Sequence, residues 1–354
     1  MKKTVRILHT ADLHLGMYPD KGRPWSEERH DALWNTFRRI VQTAEAEADL
    51  LLIAGDLFHR QPLLRELKEV NALFQTLSHT RVVLIAGNHD CITPQSRYPD
   101  FPWASSVSFL MGGTEDSVFF EDLNTVVHGF SYRQTEIREA LYDRMRAPGD
   151  GRIHILLAHG GDEKHIPVNP GRLASNGFHY AAFGHIHKPE LREDLRLAWC
   201  GSPEPLDCTD TGARGYVQAE VSLNQTCLRF VPACTARYIP LSVTVRPDTT
   251  REGLAHSLAQ TMQAKGLSHL YQITLSGERE TDMDFSTAPP LPGRVSSWND
   301  RTHIALDYGR LRVLHEKDLL GHFLAQTDTL PPGELREKVM AYGVRACLTQ
   351  GGRP

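Results

Sequence analysis

Five short blocks of this chain carry side chains that could do chemistry: Asp12-x-His14, Gly55-Asp56, Gly87-Asn88-His89-Asp90, His159 and Gly184-His185-x-His187. Each alone is weak, because an Asp or His at the end of a strand is more often part of a turn than a ligand. Jointly they supply two carboxylates, one amide and four imidazoles beside a further histidine. A mixed oxygen and nitrogen set of that size exceeds what one ion needs and suits two divalent metals that share a bridging carboxylate. Two such ions, about 3.5–4 Å apart, clamp a phosphoryl group, acidify a water and stabilise the attacking and leaving oxygens. The implied chemistry is phosphoester hydrolysis without a serine or thiol nucleophile. Neither G-x-S-x-G nor G-x-x-x-x-G-K-[ST] is present, so hydrolase-elbow and NTPase-loop chemistries are set aside. The D-x-H and H-x-H spacings put both donors on one side of an extended segment, where they can face one ion.

These blocks need strands that end together. Apolar β-rich runs at 5–10, 50–54, 81–86 and 153–158 each lead into one of the polar tips. Leu33, Phe37, Ile40, Val41 and Ala44 recur at helical spacing after Ser26, a candidate N-cap. Leu63, Leu67, Val70, Phe74 and Leu77 do the same after Pro62. In open α/β sheets sites assemble at the carboxyl ends of strands, so four polar tips at four such ends predict one shared site. After residue 115 the texture becomes hairpin-like (117–121, a turn, 125–129), which predicts a second sheet packed on the first. Further strands are expected at 215–222 and 227–231. Strand 239–245, helix 250–265 and strand 270–276 predict a small βαβ appendage. Residues 281–300, with Pro289, Pro290 and Pro292, read as a loop, and apolar positions at Leu319–Leu324 and Leu335–Ala346 as two short helices. The expected fold is α/β, a two-sheet β-sandwich flanked by helices with a small C-terminal α+β appendage. The expected division is 1–235, 236–280 and 281–354.

Composition bounds the partners. With 354 residues, 40% hydrophobic and 23% charged, the chain is long enough for two or three domains and lies outside the disordered, collagenous and coiled-coil classes. A net charge of −4 provides no global basic field, so any polyanion must be held by a local patch or a metal. Of 18 histidines, 13 lie at or before His187, a skew that prompts the search for metal spacing. Six scattered cysteines without a C-x-x-C pair read as free thiols. An N-terminus without an apolar h-region and the absence of a membrane-length apolar run predict a soluble, cytoplasmic protein.

The five blocks resemble the calcineurin-like metallophosphoesterase superfamily. Within it, Ile7-Leu8-His9-Thr10-Ala11-Asp12-Leu13-His14-Leu15-Gly16, Gly55-Asp56-Leu57-Phe58-His59 and Phe183-Gly184-His185-Ile186-His187-Lys188-Pro189 are similar to the SbcD-type DNA repair exonucleases. Gly201-Ser202-Pro203 extends the likeness to about residue 206. The resemblance implies that Asp12, His14 and His187 hold a first ion, Asn88, His159 and His185 a second, and that Asp56 bridges both. It implies that His89 is the catalytic histidine, oriented by Asp90, and that His59 is a second active-site histidine. A metal-bridged hydroxide would attack the phosphodiester in line, with Mn2+ the expected metal and Fe2+, Co2+ or Zn2+ the alternatives. DNA, an SMC-like ATPase of the SbcC type and a second copy in a homodimer are the partners implied.

Other residues carry lesser expectations. Lys164, Arg172 and Lys188 are phosphate candidates. Arg133, Arg138, Arg144 and Arg146 read as the solvated face of a helix over 134–145. Tyr98, Phe101 and Trp103 read as a loop anchor rather than a base-stacking platform. His9, His128, His154 and His179 are expected in strands or core, since the ligand set is already full. Two rivals accompany the nuclease: a phosphodiesterase for cyclic nucleotides or other small phosphoesters, and a non-catalytic DNA-end-binding scaffold. Retention of every ligand and of His89 argues against the scaffold.

Overall fold

The structure is a computed structural model and describes residues 4–350. It divides into two compact units. One runs to Ile239 and includes Ser268–Leu270; the other comprises Pro240–Leu267 and the residues from Tyr271 onward. The first unit begins β1 (Val5–Thr10), α1 (Ser26–Glu47), β2 (Leu50–Ala54), α2 (Leu64–Phe74), β3 (Arg81–Ile85), β4 (Val107–Phe109), β5 (Asp116–Phe120) and β6 (Thr125–Gly129). It continues through β7 (Ile153–His159), α3 (Pro170–Ala174), β8 (Tyr180–Gly184), β9 (Glu190–Arg192), β10 (Leu197–Trp199), β11 (Gly215–Val221) and β12 (Thr226–Pro232).

These strands form two six-stranded sheets, ordered β12-β11-β1-β2-β3-β4 and β5-β6-β7-β8-β10-β9. Strands β1 to β4 are parallel, and so are β6, β7, β8 and β10. The expected two-sheet α/β fold is the one that forms. Alternation along each strand assigns its faces. Ile7, Leu50, Leu52 and Ala54 meet Ile155, Leu157, Tyr180 and Ala182 in the core between the sheets. Leu8, Leu51 and Ile53 point the other way, onto Phe37, Ile40, Val41, Val70 and Phe74 of α1 and α2. With both faces covered, β2 is buried at every residue, which is why it reads as an unbroken apolar run. Each such Leu, Ile or Phe contributes roughly 1.5–3 kcal/mol by leaving water. The outer face of the second sheet is closed by Phe130, Tyr132, Tyr142 and Leu173 over Leu156, Ala181, Phe183 and Trp199.

Three local expectations are corrected. Ser26 is the first helical residue of α1 rather than its cap; Trp25 holds the N-cap position, and Glu27 and Glu28 sit in the first turn, where the helix dipole favours them. No helix forms over 134–145. Ile137 instead donates to the Lys164 carbonyl and accepts from Ile166 N, leaving only a 3-10 turn at Tyr142–Arg144. Pairing with a distant loop outweighs helical propensity there, and Arg133 and Arg146 are spent on backbone carbonyls. The third correction is a strand at 294–300, inside the stretch read as a loop.

That strand belongs to the second unit, which contains most of β13 (Tyr238–Val245) and of β14 (Leu270–Arg279), with α4 (Arg251–Lys265), β15 (Arg294–Asp300) and β16 (His303–Ile304), then α5 (Tyr308–Leu314), α6 (Leu319–Thr327) and α7 (Glu334–Gln350). Its sheet is ordered β13-β14-β15, with β16 also pairing β14. Almost every residue of β15 is half-buried, so no alternating pattern marks it. Thr250 caps α4 through a bond from Gly253 N, and Leu254, Leu258 and Met262 form its buried stripe. Leu320, Leu324 and Val344 pack the last helices together. Among the described residues no helix is long and apolar enough to cross a membrane.

His9, His128, His154 and His179 lie in strands or beside them, as expected. His9 is buried on β1 against the Tyr180 hydroxyl at 2.8 Å, and burial lowers it to about 3. On β6 and β7, His128 Nε2 meets His154 Nδ1 at 3.0 Å, and His154 Nε2 donates to Asp150 at 2.8 Å. Burial and the neighbouring His154 lower His128 from 6.5 to about 4. The unfolded chain therefore binds more protons than the native one between these values. The His128 contribution to stability falls as pH drops through 6.5 and levels off below about 4, with a slope of at most about 1.4 kcal/mol per pH unit. In urea titrations of EDTA-treated protein, His128→Gln should show a visibly shallower loss between pH 6.5 and 4 than wild type. An unchanged slope would remove His128 from the acid response.

Candidate dinuclear metal centre

The carboxyl ends of β1, β2 and β3 meet those of β7 and β8, and every predicted site residue lies at or just beyond one of them. The two sheets touch there because glycines allow it. A β-carbon on Gly184 would collide with the Ala54 carbonyl, and one on Gly55, at φ +86°, with the His159 ring. The D-x-H and H-x-H segments are not extended as expected. Asp12 (φ 51°), His14 (φ 45°), Asp56 (φ 48°) and His185 (φ 84°) all adopt left-handed backbone, a conformation that costs non-glycine residues about 1–3 kcal/mol each. Cross-strand bonds hold these kinks: Asp12 N to Gly55 O at 3.2 Å and His14 N to Asp56 O at 3.0 Å. His185 N donates to both Asp12 carboxylate oxygens at 3.0 Å.

The side chains converge in two overlapping groups. Ligand atoms of Asp12, His14 and His187 lie within 4.8 Å of one another, and so do those of Asp12, Asp56 and His159. Asp56 Oδ2 stands between them, 3.6 Å from His14 Nε2 and 3.5 Å from His159 Nε2. Asn88 Oδ1 approaches His159 Nε2 at 2.9 Å and His185 Nδ1 at 3.1 Å. The outward ring nitrogens are committed elsewhere. His159 Nδ1 donates to the Ala54 carbonyl at 2.8 Å, His185 Nε2 to Asp162 at 2.7 Å, and His187 Nδ1 faces Asp210 at 3.5 Å. His14 Nδ1 meets His59 Nδ1 at 3.3 Å, while His14 Nε2 is buried without a hydrogen-bond partner. Each imidazole thus turns one nitrogen inward, toward Asp56 or Asn88 or the Asp12 group.

This donor set fits divalent cations. In the metal-free protein the charges compensate one another. Burial opposes ionisation of Asp56, yet His159, His14 and His89 hold its carboxyl well below the usual range. Burial opposes a charge on His159 too, but Asp56 and Asp12 raise it to about 9, so that a proton supplies positive charge beside the carboxylates. Burial and Asp56 raise Asp12 to about 6, against the pull of His159 and His187. Burial lowers His14 well below its ordinary value, and lowers His185 to about 4 with help from His159. His187 is raised, since Asp210 and Asp12 outweigh its burial. Ligands of this kind release protons as metal binds.

His89 is exposed and His59 half-buried at the mouth, their rings stacked with centroids 5.3 Å apart; His89 also stands edge-on to His14 at 4.7 Å. The Asp90 carboxylate, expected to orient His89, bonds the loop rather than the His89 ring. It is buried and accepts from Gly87 N (2.8 Å), Phe58 N (3.1 Å) and the Tyr98 hydroxyl (2.8 Å), bracing the loop. His89 Nδ1 donates instead to the His59 carbonyl at 3.2 Å. Tyr98 is fully buried and packs with Phe101 and Trp103 in the α1/α2 core, the anchor that was expected. Lys164 and Lys188 are exposed on the loops after His159 and His187, and Arg172 is exposed on α3. Asp162, His165 and Asp210 were missed. Their only signal was position, Asp162 lying three residues after His159 and Asp210 far from any block.

The family model described as calcineurin-like phosphoesterase matches residues 5–189. The uncharacterized metallophosphoesterase YhaO of Bacillus subtilis is 26% identical over 302 residues, covering 78% of this chain and 73% of the relative. The DNA double-strand break repair protein Mre11 of Aeropyrum pernix is 29% identical over 236 residues, 59% of this chain and 56% of its own. Its counterpart from Archaeoglobus fulgidus is 39% identical over 229 residues, 57% and 51%. The matches span about half the length of these two Mre11 relatives.

Proposed function

Because this chain belongs to the calcineurin-like phosphoesterases, whose members use a dinuclear metal site, we propose that it is a metal-dependent DNA phosphodiesterase, a repair nuclease. The observation that carries the reading is the pair of ligand groups sharing Asp12 and straddling Asp56, with two histidines at the exposed mouth. Similarity to chains named as DNA double-strand break repair proteins supports DNA as the substrate. The nuclease domain is taken as residues 1–235.

In this reading Asp12, His14 and His187 would hold one ion, Asn88, His159 and His185 the other, and Asp56 both. Such a pair supplies an acidified water and neutralises charge on the phosphoryl oxygens. The protein's own groups do the rest. Ala54 O, Asp210 and Asp162 accept from the outward nitrogens of His159, His187 and His185 and aim the inward ones, whose protons metal binding would release. His89, with Nδ1 bound to the His59 carbonyl, has Nε2 left to carry a proton to the departing sugar oxygen. His59 backs His14 through Nδ1 and flanks His89, positioning the strand. Lys164, Lys188 and Arg172 lie near the ligand blocks in sequence and would meet flanking phosphates. Mn2+ suits the mixed donors, with Fe2+, Co2+ and Zn2+ as competitors.

An SMC-like ATPase of the SbcC type is the proposed partner. Exposed Val313, Leu314, Leu319, Leu335 and Tyr342 on α5 to α7 supply apolar surface for it. A homodimer and a cytoplasmic location complete the proposal.

The test is Mn2+ titration of metal-free protein on end-labelled linear DNA, covalently closed DNA and bis-p-nitrophenyl phosphate. Mn2+-dependent DNA cleavage, abolished by EDTA, is expected, and the linear and closed substrates separate exonuclease from endonuclease. Ester hydrolysis with no DNA cleavage, even after adding the ATPase, would replace the nuclease by a small-substrate phosphodiesterase.

A further inference from the structure

We propose that Asp162 is a positioning residue for the second metal subsite: it fixes the His185 tautomer so that Nδ1 faces the ion, an inference that rests on the dinuclear reading above. A carboxylate only accepts, so the 2.7 Å contact from His185 Nε2 to Asp162 Oδ2 requires the proton on Nε2. In the neutral ring Nδ1 is then a lone pair facing another acceptor, Asn88 Oδ1, at 3.1 Å, an arrangement that a cation on the side where Asn88 and His159 converge would satisfy. A neutral histidine in water samples both tautomers. The opposite one would aim an N–H at the second subsite and block it.

Asp162 is itself held. Its Oδ1 accepts from Lys164 N at 2.7 Å and His165 N at 2.9 Å, and the His165 ring meets its two oxygens at 2.9 and 3.0 Å. The loop is pinned at both ends, by Gly161 N to His165 O at 2.8 Å and by Ile137 N to Lys164 O at 2.9 Å. His159 takes its outward partner from a buried backbone carbonyl, whereas His185 takes its own from this exposed loop, so the second subsite can be weakened by a surface substitution. Carboxylate partners of this sort also raise ligand basicity, and their loss costs about 10–100-fold in metal affinity.

Three variants of the full chain separate positioning from loop bracing. Asp162→Ser can still accept from the backbone N–H groups but is too short to reach His185. Asp162→Asn keeps the oxygen that accepts from those N–H groups but turns an NH2 donor toward His185, which favours the opposite tautomer. Asp162→Ala removes both contacts. Calorimetric titration with Mn2+ alone should give two ions in wild type, with the second bound about 10–100-fold more weakly in all three variants, including Asp162→Ser and Asp162→Asn, which keep the loop braced. Nitrogen-15 imidazole spectra of metal-free wild type should show His185 protonated at Nε2, and Asp162→Ser should show a tautomer mixture. Wild-type affinity in Asp162→Ser, or an Nδ1–H tautomer in wild type, overturns the assignment of Asp162 alone. Fewer than two ions in wild type overturns the dinuclear reading, and this proposal with it.

Discussion

His89→Ala is expected to lower turnover on DNA by about 10²–10⁴-fold, the range for losing one general acid, while two ions remain bound. The separation follows from geometry. The contact of His89 with Asp56 is made by its backbone N–H, at 2.9 Å to Oδ1, and survives in alanine. The ring is exposed and turns Nδ1 to the His59 carbonyl, so its removal leaves no buried charge and costs little stability. A sugar alkoxide leaves poorly without a proton, whereas p-nitrophenolate leaves readily. The variant should therefore lose much more on DNA than on bis-p-nitrophenyl phosphate. Equal losses on the two substrates, or loss of metal measured by mass spectrometry of the dialysed protein, would refute the role of His89 in protonating the leaving group.

Asp56→Asn should have the opposite signature, losing metal and activity together. Its Oδ2 lies between His14 Nε2 and His159 Nε2, at 3.6 and 3.5 Å, and its Oδ1 anchors the loop that carries Asn88 and His89. Asparagine keeps the shape and removes the charge on which both ligand groups depend. Stoichiometry should fall from two ions to one or none, and turnover by more than about 10³-fold, beyond the loss from a single preorganised neutral donor. The substitution tolerates the left-handed backbone at φ 48°, which asparagine adopts readily. Circular dichroism should thus remain native while the calorimetric isotherm loses its second step. Two ions bound with wild-type affinity would show that Asp56 does not bridge.

The two predictions draw on different levels of legibility. Both residues were readable because each belongs to a strand tip, where an apolar run, a glycine and a polar side chain adjoin in sequence. Their partners were not. Asp90 neighbours His89 in sequence and was expected to orient it, but the turn buries that carboxylate under Tyr98 and leaves the His59 carbonyl, thirty residues earlier, to meet the ring. The helix expected over 134–145 fails for a similar reason. Ile137 satisfies its backbone through residues 164–166, a pairing that periodicity cannot express. Strand β15 escaped notice because its edges are half-exposed and no apolar face alternates along it.

By itself the sequence determined the strand and helix alternation of the first unit, the identity of the seven ligand candidates and their place at strand ends. Apolar periodicity and residue chemistry are local properties, written within a few positions of each other. Tertiary structure decided how the donors face one another. Alternation in extended segments does not aim Asp12, His14, Asp56 and His185; left-handed kinks do, stabilised by bonds to strands and loops that are tens to well over a hundred residues away. It also decided which nitrogen of each histidine points inward, through Ala54, Asp162, Asp210 and His59. A ring's tautomer follows from the acceptor on its far side, and that acceptor is brought into place only when the two sheets close.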